Sequence, residues 1–154
     1  MLAVGDKAPL FVTPGTSGDI DLGALLKDKP VVLYFFPRAT TGGCTTEALE
    51  FNRVLPEFAA LGVTIVGLSV DPLARQQRFR EKYDLKFELA SDHDRAVGKA
   101  YGTLKGDLTS THERDTLVIA KDATVRLAYR RVGAKGHAAD VLADARRLRD
   151  EGGI

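Results

Sequence analysis

Val31-Val32-Leu33-Tyr34-Phe35-Phe36 is the longest unbroken apolar run in the chain. It is short and rich in β-branched and aromatic residues, which is typical of a strand buried on both faces of a sheet. Thr64-Ile65-Val66-Gly67-Leu68-Ser69-Val70 has the same character. The two runs therefore predict the central strands of a buried sheet.

Further strands and helices are predicted around these two runs. Leu117–Ile119 and Val125–Tyr129 are predicted strands, and Lys121–Ala123 separates them at the spacing of a hairpin. Helices are predicted from Cys44 to about Leu61, from Asp71-Pro72 to Tyr83, from Asp94 to Tyr101 before Gly102, and from Ala138 to about Arg149. This order predicts a single α/β domain over residues 1–154, with a central mixed sheet flanked by helices.

Two of the predicted helices carry prolines. Pro56 lies inside the Cys44 helix, so we expect a kink or a break near Leu55. Asp71 is predicted to cap the next helix, with Pro72 as its first helical residue. The Cys44 helix also has an apolar stripe, formed by Ala48, Phe51, Leu55, Phe58 and Ala59.

Charge and hydropathy argue against several classes of partner. The 154 residues include 22 basic and 21 acidic side chains, for a formal net charge of +1. Such a balance disfavours nucleic acid and anionic membranes as partners. The N-terminus has no basic segment followed by an apolar one, and the longest apolar run is too short to span a bilayer. We therefore expect a cytoplasmic location.

Cys44 is the single cysteine of the chain, which excludes an intrachain disulfide and a C-x-x-C dithiol. It follows the predicted central strand by a short loop, at the edge of the sheet where α/β proteins bind ligands. Unpaired N–H groups and the helix dipole favour a thiolate in a first helical turn, typically by about 0.3–1 kcal/mol and up to ~2. Ionisation well below the ordinary range of a thiol needs roughly 3.4 kcal/mol, so we expect a cation, best an arginine, to complete the site.

The residues before Cys44 suit a small substrate. Gly42 and Gly43 let the backbone approach it closely, and Thr41 offers a hydroxyl. From the residues alone, an inert cysteine in a helix-capping turn is an equally good interpretation, because free cysteine often packs as a small hydrophobe.

Pro37, Thr41 and Cys44 spell Pro-x-x-x-Thr-x-x-Cys, the active-site signature of the peroxiredoxins. The segment from Tyr34 to Ala48 resembles the Q-type subfamily, also called bacterioferritin comigratory proteins. The resemblance extends from about Gly5 to the terminal helix, through the blocks Gly67–Asp71, Phe79–Phe87, Leu89–Asp92 and Glu113–Ile119.

The resemblance implies a thioredoxin-like fold and a thiol-dependent peroxidase. It makes Cys44 the nucleophile that attacks a hydroperoxide, and Thr41 and Arg114 the groups that position and polarise the peroxide. Pro37 would shield the thiolate, with Gly43 and Glu47 in supporting positions. Spacing alone does not select Arg114 from the other arginines.

The sequence departs from the subfamily in two ways. Gly42 replaces a usual proline, and the resolving cysteine is missing: Leu49 stands where many members carry it, and there is none near Arg80, where others do. The chain therefore resembles a one-cysteine peroxiredoxin that reduces hydrogen peroxide and organic hydroperoxides. An external thiol, or a thioredoxin- or glutaredoxin-like protein, would reduce its sulfenic acid. The resemblance favours a monomer, while a homodimer or a Cys44–Cys44 disulfide between two copies stays open.

The other polar motifs predict no metal and no nucleotide cofactor. Gly15–Gly18 is predicted to be a turn. We expect Asp92-His93-Asp94 to be a solvated cluster, His112 to lie in an exposed loop, and His137 to begin the last helix. The alternative function is a redox-sensing or binding module without efficient turnover. The missing resolving cysteine favours it, while retention of Thr41 and Arg114 argues against it.

Overall fold

The computed structural model describes residues 1–106 and 110–154. The strands in this part of the chain are β1 (Val12–Thr13), β2 (Ile20–Asp21), β3 (Val31–Phe35), β4 (Thr64–Ser69), β5 (Glu88–Ser91), β6 (Asp115–Ile119) and β7 (Val125–Tyr129). The helices are α1 (Leu22–Asp28), α2 (Gly42–Ala60), α3 (Leu73–Lys82), α4 (Ala96–Tyr101) and α5 (His137–Asp150).

The main sheet has the strand order β5-β4-β3-β6-β7. β3 is the central strand, pairing with β4 in parallel and with β6 in antiparallel orientation. β5 adds in parallel to β4, and β7 closes a hairpin with β6. All five residues of β3 are buried, so the predicted central strand and mixed sheet are confirmed.

Alternate residues of β3 pack into two hydrophobic layers. Val32 and Tyr34 face α2, α3 and α5, whereas Val31, Leu33 and Phe35 face α1 and α4. The period of two along a strand produces this division, since successive side chains point to opposite faces. The sheet is therefore covered by helices on both sides, and α2 begins at the carboxyl edge of its central strand.

Helix α2 runs through Pro56 and ends at Ala60, so of the predicted kink or break, the break is wrong. Pro56 lies on the exposed side of the helix, where water can satisfy the carbonyl group that loses its N–H donor. Ala59 is also exposed and does not belong to the buried stripe, whereas Ala48, Phe51 and Phe58 do.

Asp71 does not cap α3, which corrects a second prediction. The helix begins at Leu73, after Pro72 in an extended conformation, and has no side-chain cap. The carboxylate of Asp71 accepts a hydrogen bond from the backbone N–H of Ala39 instead, at 2.6 Å. A turn residue of the right type thus stabilises the loop before α2 rather than its own helix.

Three elements were not predicted from the sequence: the β1–β2 hairpin, α1 and β5. The hairpin has two residues per strand, too few to show an alternating pattern. Gly15–Gly18 lies between these strands and forms the predicted turn, in which the Gly18 N–H donates to the Gly15 carbonyl at 3.3 Å. Helix α1 begins after Asp21, whose carboxylate accepts from the N–H of Ala24.

Candidate active site

Cys44 is the third residue of α2 and is only 1% exposed. It reaches this position because β3 ends at Phe35 and a short loop leads directly into the helix. The predicted placement in a first helical turn, at the carboxyl end of the central strand, is confirmed. A first helical turn has backbone N–H groups without partners inside the helix, and together with the helix dipole these favour negative charge on a side chain of that turn.

Thr41 is the residue that precedes α2, in an extended conformation. Its hydroxyl donates to the Arg38 carbonyl at 3.0 Å, and its own carbonyl accepts from the N–H of Thr45 at 2.9 Å. The side chain is exposed. Thr41 therefore places a hydroxyl at the solvent side of the turn that holds Cys44. Pro37 lies half-buried in the same loop.

Arg114 contacts both Cys44 and Glu47. One terminal nitrogen, Nη2, donates to Cys44 Sγ at 3.5 Å, and the other, Nη1, donates to Glu47 Oε1 at 2.8 Å. Arg114 lies 70 residues after Cys44, and the pairing of β6 with β3 brings it there, because Asp115 is opposite Phe35 in the register. The structure thus supplies a cation at the sulfur.

Gly43 permits this contact. A Cβ atom added at Gly43 would lie 3.0 Å from Arg114 Nη2 and 4.0 Å from Ala134 Cβ. A side chain at position 43 would therefore press on the guanidinium, which would have to move by a few tenths of an ångström to make room. The carbonyl of Arg114 also accepts from the N–H of Val132 at 2.9 Å, which helps to fix the backbone of Arg114.

Glu47 is fully buried, with 0% exposure. Burial raises its pKa to about 7, although the charge and the hydrogen bond of Arg114 oppose the shift; Glu50 raises it further. Burial disfavours the charged guanidinium of Arg114, but Glu47 and Cys44 together favour it, and its pKa rises. Arg114 therefore stays cationic between two groups that can each be negative.

Asp71 fixes the loop that leads to Cys44. Its Oδ2 accepts from the Ala39 N–H at 2.6 Å and from Ser69 Oγ at 2.7 Å, and its Oδ1 accepts from Arg75 Nη1 at 3.3 Å. Sequence reasoning assigned Asp71 to a helix cap and missed this role. Its position just after β4 was the available signal, since the carboxyl ends of the parallel strands β3 and β4 lie at one edge.

The structure corrects the prediction for His112, which is buried rather than exposed. His112 Nδ1 lies 2.7 Å from Thr103 Oγ1, and Nε2 lies 3.0 Å from Asp92 Oδ2, too poorly aligned for a hydrogen bond. Asp92 is also buried, and its carboxylate accepts from the N–H groups of Val97 and Gly98. The predicted solvated cluster is therefore wrong for Asp92.

His93 and Asp94, the other members of that cluster, are exposed as predicted. His137 begins α5, also as predicted, and its Nε2 lies 2.8 Å from Thr116 Oγ1. Burial lowers the pKa of His137 to about 4. The ring is thus neutral in the folded protein at neutral pH.

Glu47 and His137 should give opposite pH dependences of stability. The folded state holds a proton on Glu47 between about pH 4.5 and 7, so Glu47 makes the protein less stable as pH rises through this range. The unfolded state holds a proton on His137 between about pH 4 and 6.5, so His137 makes the protein more stable as pH rises. Each slope is at most about 1.4 kcal/mol per pH unit.

Denaturant unfolding across pH 4–7 checks this prediction. Relative to wild type, Glu47→Gln should gain stability as pH rises from 4.5 to 7. His137→Gln should lose stability, relative to wild type, as pH rises from 4 to 6.5. Parallel stability curves for wild type and both variants would contradict the two pKa assignments.

Two features of the structure bear on other functional classes. Within residues 1–106 and 110–154, no helix is both long and apolar enough to cross a membrane. The same residues contain no group of three or more His, Cys, Asp or Glu side chains placed to hold a metal ion.

Leu49 and Arg80, the positions discussed above for a resolving cysteine, lie on different helices. Leu49 is exposed on α2, and Arg80 on α3 donates to the Phe87 carbonyl at 3.1 Å.

Comparison with known proteins identifies the family. Residues 4–128 match the model of the AhpC/TSA family. The peroxiredoxin Bcp of Bacillus subtilis is 34% identical over 92% of this chain and 93% of its own length. The crystal structure of peroxidoxin BcpB from Mycobacterium tuberculosis has a TM-score of 0.90 at 34% identity, covering 96% of this chain and 99% of that one.

A third relative is the bacterioferritin comigratory protein of Xanthomonas campestris. Its structure has a TM-score of 0.85 at 32% identity and covers 90% of this chain and 92% of its own. The thioredoxin-like fold predicted from the sequence is confirmed by these neighbours. The chain therefore belongs to the AhpC/TSA family and is a peroxiredoxin related to the Bcp and PrxQ proteins.

Proposed function

We propose that this peroxiredoxin reduces hydrogen peroxide and organic hydroperoxides through Cys44, with an external thiol as the reductant. The contact of Arg114 Nη2 with Cys44 Sγ at 3.5 Å carries the proposal. A fixed cation at the sulfur favours the thiolate, which is the nucleophilic form of cysteine. The related Xanthomonas campestris protein has an alkyl peroxide reduction activity, which supports organic hydroperoxides as substrates.

In the proposed reaction, the Cys44 thiolate attacks one oxygen of the hydroperoxide. The S–O bond forms as the O–O bond breaks, and sulfur is oxidised to a sulfenic acid. The leaving oxygen takes a proton and departs as water or an alcohol. Arg114 and backbone N–H groups of the α2 turn stabilise the charge that develops on the two oxygens. The Thr41 hydroxyl, which donates to the Arg38 carbonyl in the structure, turns its O–H toward the bound peroxide and adds a further donor.

Reduction of the sulfenic acid needs a second sulfur. Cys44 is the only cysteine in the chain, so an external thiol supplies this sulfur. The thiol attacks the sulfenic acid of Cys44, water leaves, and a mixed disulfide forms. A second thiol, or a thioredoxin- or glutaredoxin-like protein, then exchanges with this disulfide and restores Cys44. The proposed working form is a monomer.

Turnover with different reductants tests the proposal. The protein is oxidised with one equivalent of peroxide and then mixed with a small thiol or a thioredoxin system, while intact mass is followed. We expect a mixed disulfide with the small thiol and repeated peroxide consumption with at least one reductant. Oxidation without any turnover would support a redox-sensing module instead, and a dimer linked through Cys44 would contradict direct reduction by an external thiol.

Thr41→Val should lower the second-order rate constant with peroxide by about 10²-fold, the typical cost of one lost donor to a developing oxyanion. Stability should change by about 1 kcal/mol or less, because the lost hydrogen bond to the Arg38 carbonyl is exposed. Thr41→Ser is the matched control, since it keeps the hydroxyl. A Val variant as fast as wild type would show that this hydroxyl has no part in the reaction.

A further inference from the structure

Arg114 stands between two groups that can each carry a negative charge. Its Nη1 lies 2.8 Å from Glu47 Oε1 and its Nη2 lies 3.5 Å from Cys44 Sγ. One guanidinium supplies one positive charge. It can therefore neutralise a thiolate or a carboxylate, but not both together.

The cluster has little access to water. Glu47 and Cys44 are buried, and the Arg114 side chain is 16% exposed. A second, uncompensated negative charge in such a place is costly, and buried groups usually take up a proton instead. Glu47 Oε2 also has no hydrogen-bond partner among the described residues, so half of the carboxylate lacks the donors that would stabilise its charge.

Within the part of the chain that the structure describes, the other groups near Glu47 do not supply a second positive charge. Glu50 on α2 adds negative charge, and Tyr34 on β3 is buried with its pKa raised well above its ordinary value by burial. His137 at the start of α5 is neutral in the folded protein at neutral pH, since burial lowers its pKa to about 4. Arg114 is the cation that acts on Glu47.

We propose that Cys44 and Glu47 share one proton through their common partner Arg114, so that the thiolate forms as Glu47 is protonated. The inference deepens the proposed function, because it concerns the same thiolate. In one state Cys44 is a thiol and Glu47 a carboxylate, and in the other Cys44 is a thiolate and Glu47 a carboxylic acid. The proton passes between the two side chains by way of solvent, while Arg114 stays cationic. The cluster has zero net charge in both states, so no buried charge is added when the nucleophile forms.

Glu47 is thus a positioning residue with a second effect. Its oxygen fixes the orientation of Arg114, and its ionisation opposes formation of the thiolate. By linkage, Cys44 must oppose ionisation of Glu47 with the same free energy. The two groups then titrate in two steps that belong to the pair rather than to either residue.

Ultraviolet titration of the thiolate in the reduced protein tests the first half of this linkage. In wild type, the thiolate absorbance should develop over a wider pH range than the titration curve of a single, independent group spans. In Glu47→Gln it should follow a single one-proton curve, displaced to lower pH by roughly 0.5 to 2 units. Glu57→Gln removes an exposed carboxylate of the same helix, which pairs with Arg146 at 3.5 Å, and should leave the wild-type curve unchanged.

Infrared titration of the Glu47 carboxylic-acid band tests the second half. The band is assigned by its loss in Glu47→Gln, or by isotope labelling if that variant does not fold. In Cys44→Ala it should disappear at lower pH than in wild type, by the same shift that Glu47→Gln produces in the thiolate curve. A one-proton wild-type curve that Glu47→Gln does not move, or a Glu47 band that Cys44→Ala does not move, overturns the proposal.

Neither titration uses peroxide, so the result is independent of catalysis. Linked curves in a protein that reacts slowly with peroxide would contradict the proposed peroxidase and support proton sharing. Unlinked curves in a protein that reacts fast with peroxide would contradict proton sharing and support the proposed peroxidase.

Discussion

Arg114→Lys should lower the second-order rate constant for oxidation by peroxide by about 10²-fold, and Arg114→Gln by about 10³-fold. The native guanidinium binds Glu47 through Nη1 and Cys44 through Nη2. A lysine ammonium is a compact charge that can serve one of these partners well but not both. Glutamine removes the positive charge entirely and leaves Glu47 without its partner.

Stopped-flow oxidation of the reduced variants measures this loss. Arg131→Lys is the matched control, because Arg131 lies 3.9 Å from Glu113, the residue before Arg114, but its side chain is 71% exposed. The rate constant of this variant should stay within about 2-fold of that of wild type, because an exposed ion pair contributes little energy. An Arg114→Lys variant that reacts as fast as wild type would contradict the assigned role of the guanidinium.

Asp92→Ala should destabilise the protein by about 3–5 kcal/mol, because each buried donor left unpaired costs about 1–3 kcal/mol. This is a large part of the roughly 5–15 kcal/mol by which domains are stable. The Asp92 carboxylate accepts from the N–H groups of Val97 and Gly98 and lies 3.0 Å from His112 Nε2. These groups are all buried. Alanine would leave the N–H donors of Val97 and Gly98 without a partner in a place that water does not reach, and it would remove the carboxylate that lies beside His112 Nε2.

Chemical denaturation at pH 7 tests this prediction. Asp94→Ala provides the control, because Asp94 is exposed and accepts a hydrogen bond from the N–H of Ala96 at 3.1 Å. Its loss should cost about 1 kcal/mol, as for a helix cap. If Asp92→Ala unfolds within about 1 kcal/mol of wild type, the buried network is not a major source of stability.

The central part of the fold could be predicted because its strands are continuously apolar. β3 and β4 are buried on both faces, and each is a run that no amphipathic helix would show. β5 could not be recognised in the same way. It has four residues, Glu88 to Ser91, and it becomes a strand by pairing with β4.

The candidate site was predictable where it is local in sequence and not where it depends on tertiary contacts. Cys44 follows a strand and begins a helix, so its position could be derived from the chain. Arg114 came from the family resemblance, because its contact with Cys44 spans 70 residues.

Asp71 and His112 show the limit most clearly. Both are polar residues next to turns, for which exposure or helix capping is the ordinary expectation. Both are buried beside partners that a local pattern does not reveal: the Ala39 N–H donates to Asp71, Thr103 Oγ1 lies 2.7 Å from His112 Nδ1, and the Asp92 carboxylate lies 3.0 Å from His112 Nε2. A sequence pattern records the residue type but not such a partner.

The most direct test of the central claim is stopped-flow oxidation of the reduced protein by hydrogen peroxide and by cumene hydroperoxide, with dimedone trapping and intact mass. We expect a second-order rate constant far above that of a free thiol, and one dimedone adduct, located on Cys44. The faster oxidant would indicate the substrate class. A rate like that of free cysteine would contradict the account, because it would mean that Arg114 and the α2 turn do not activate the sulfur.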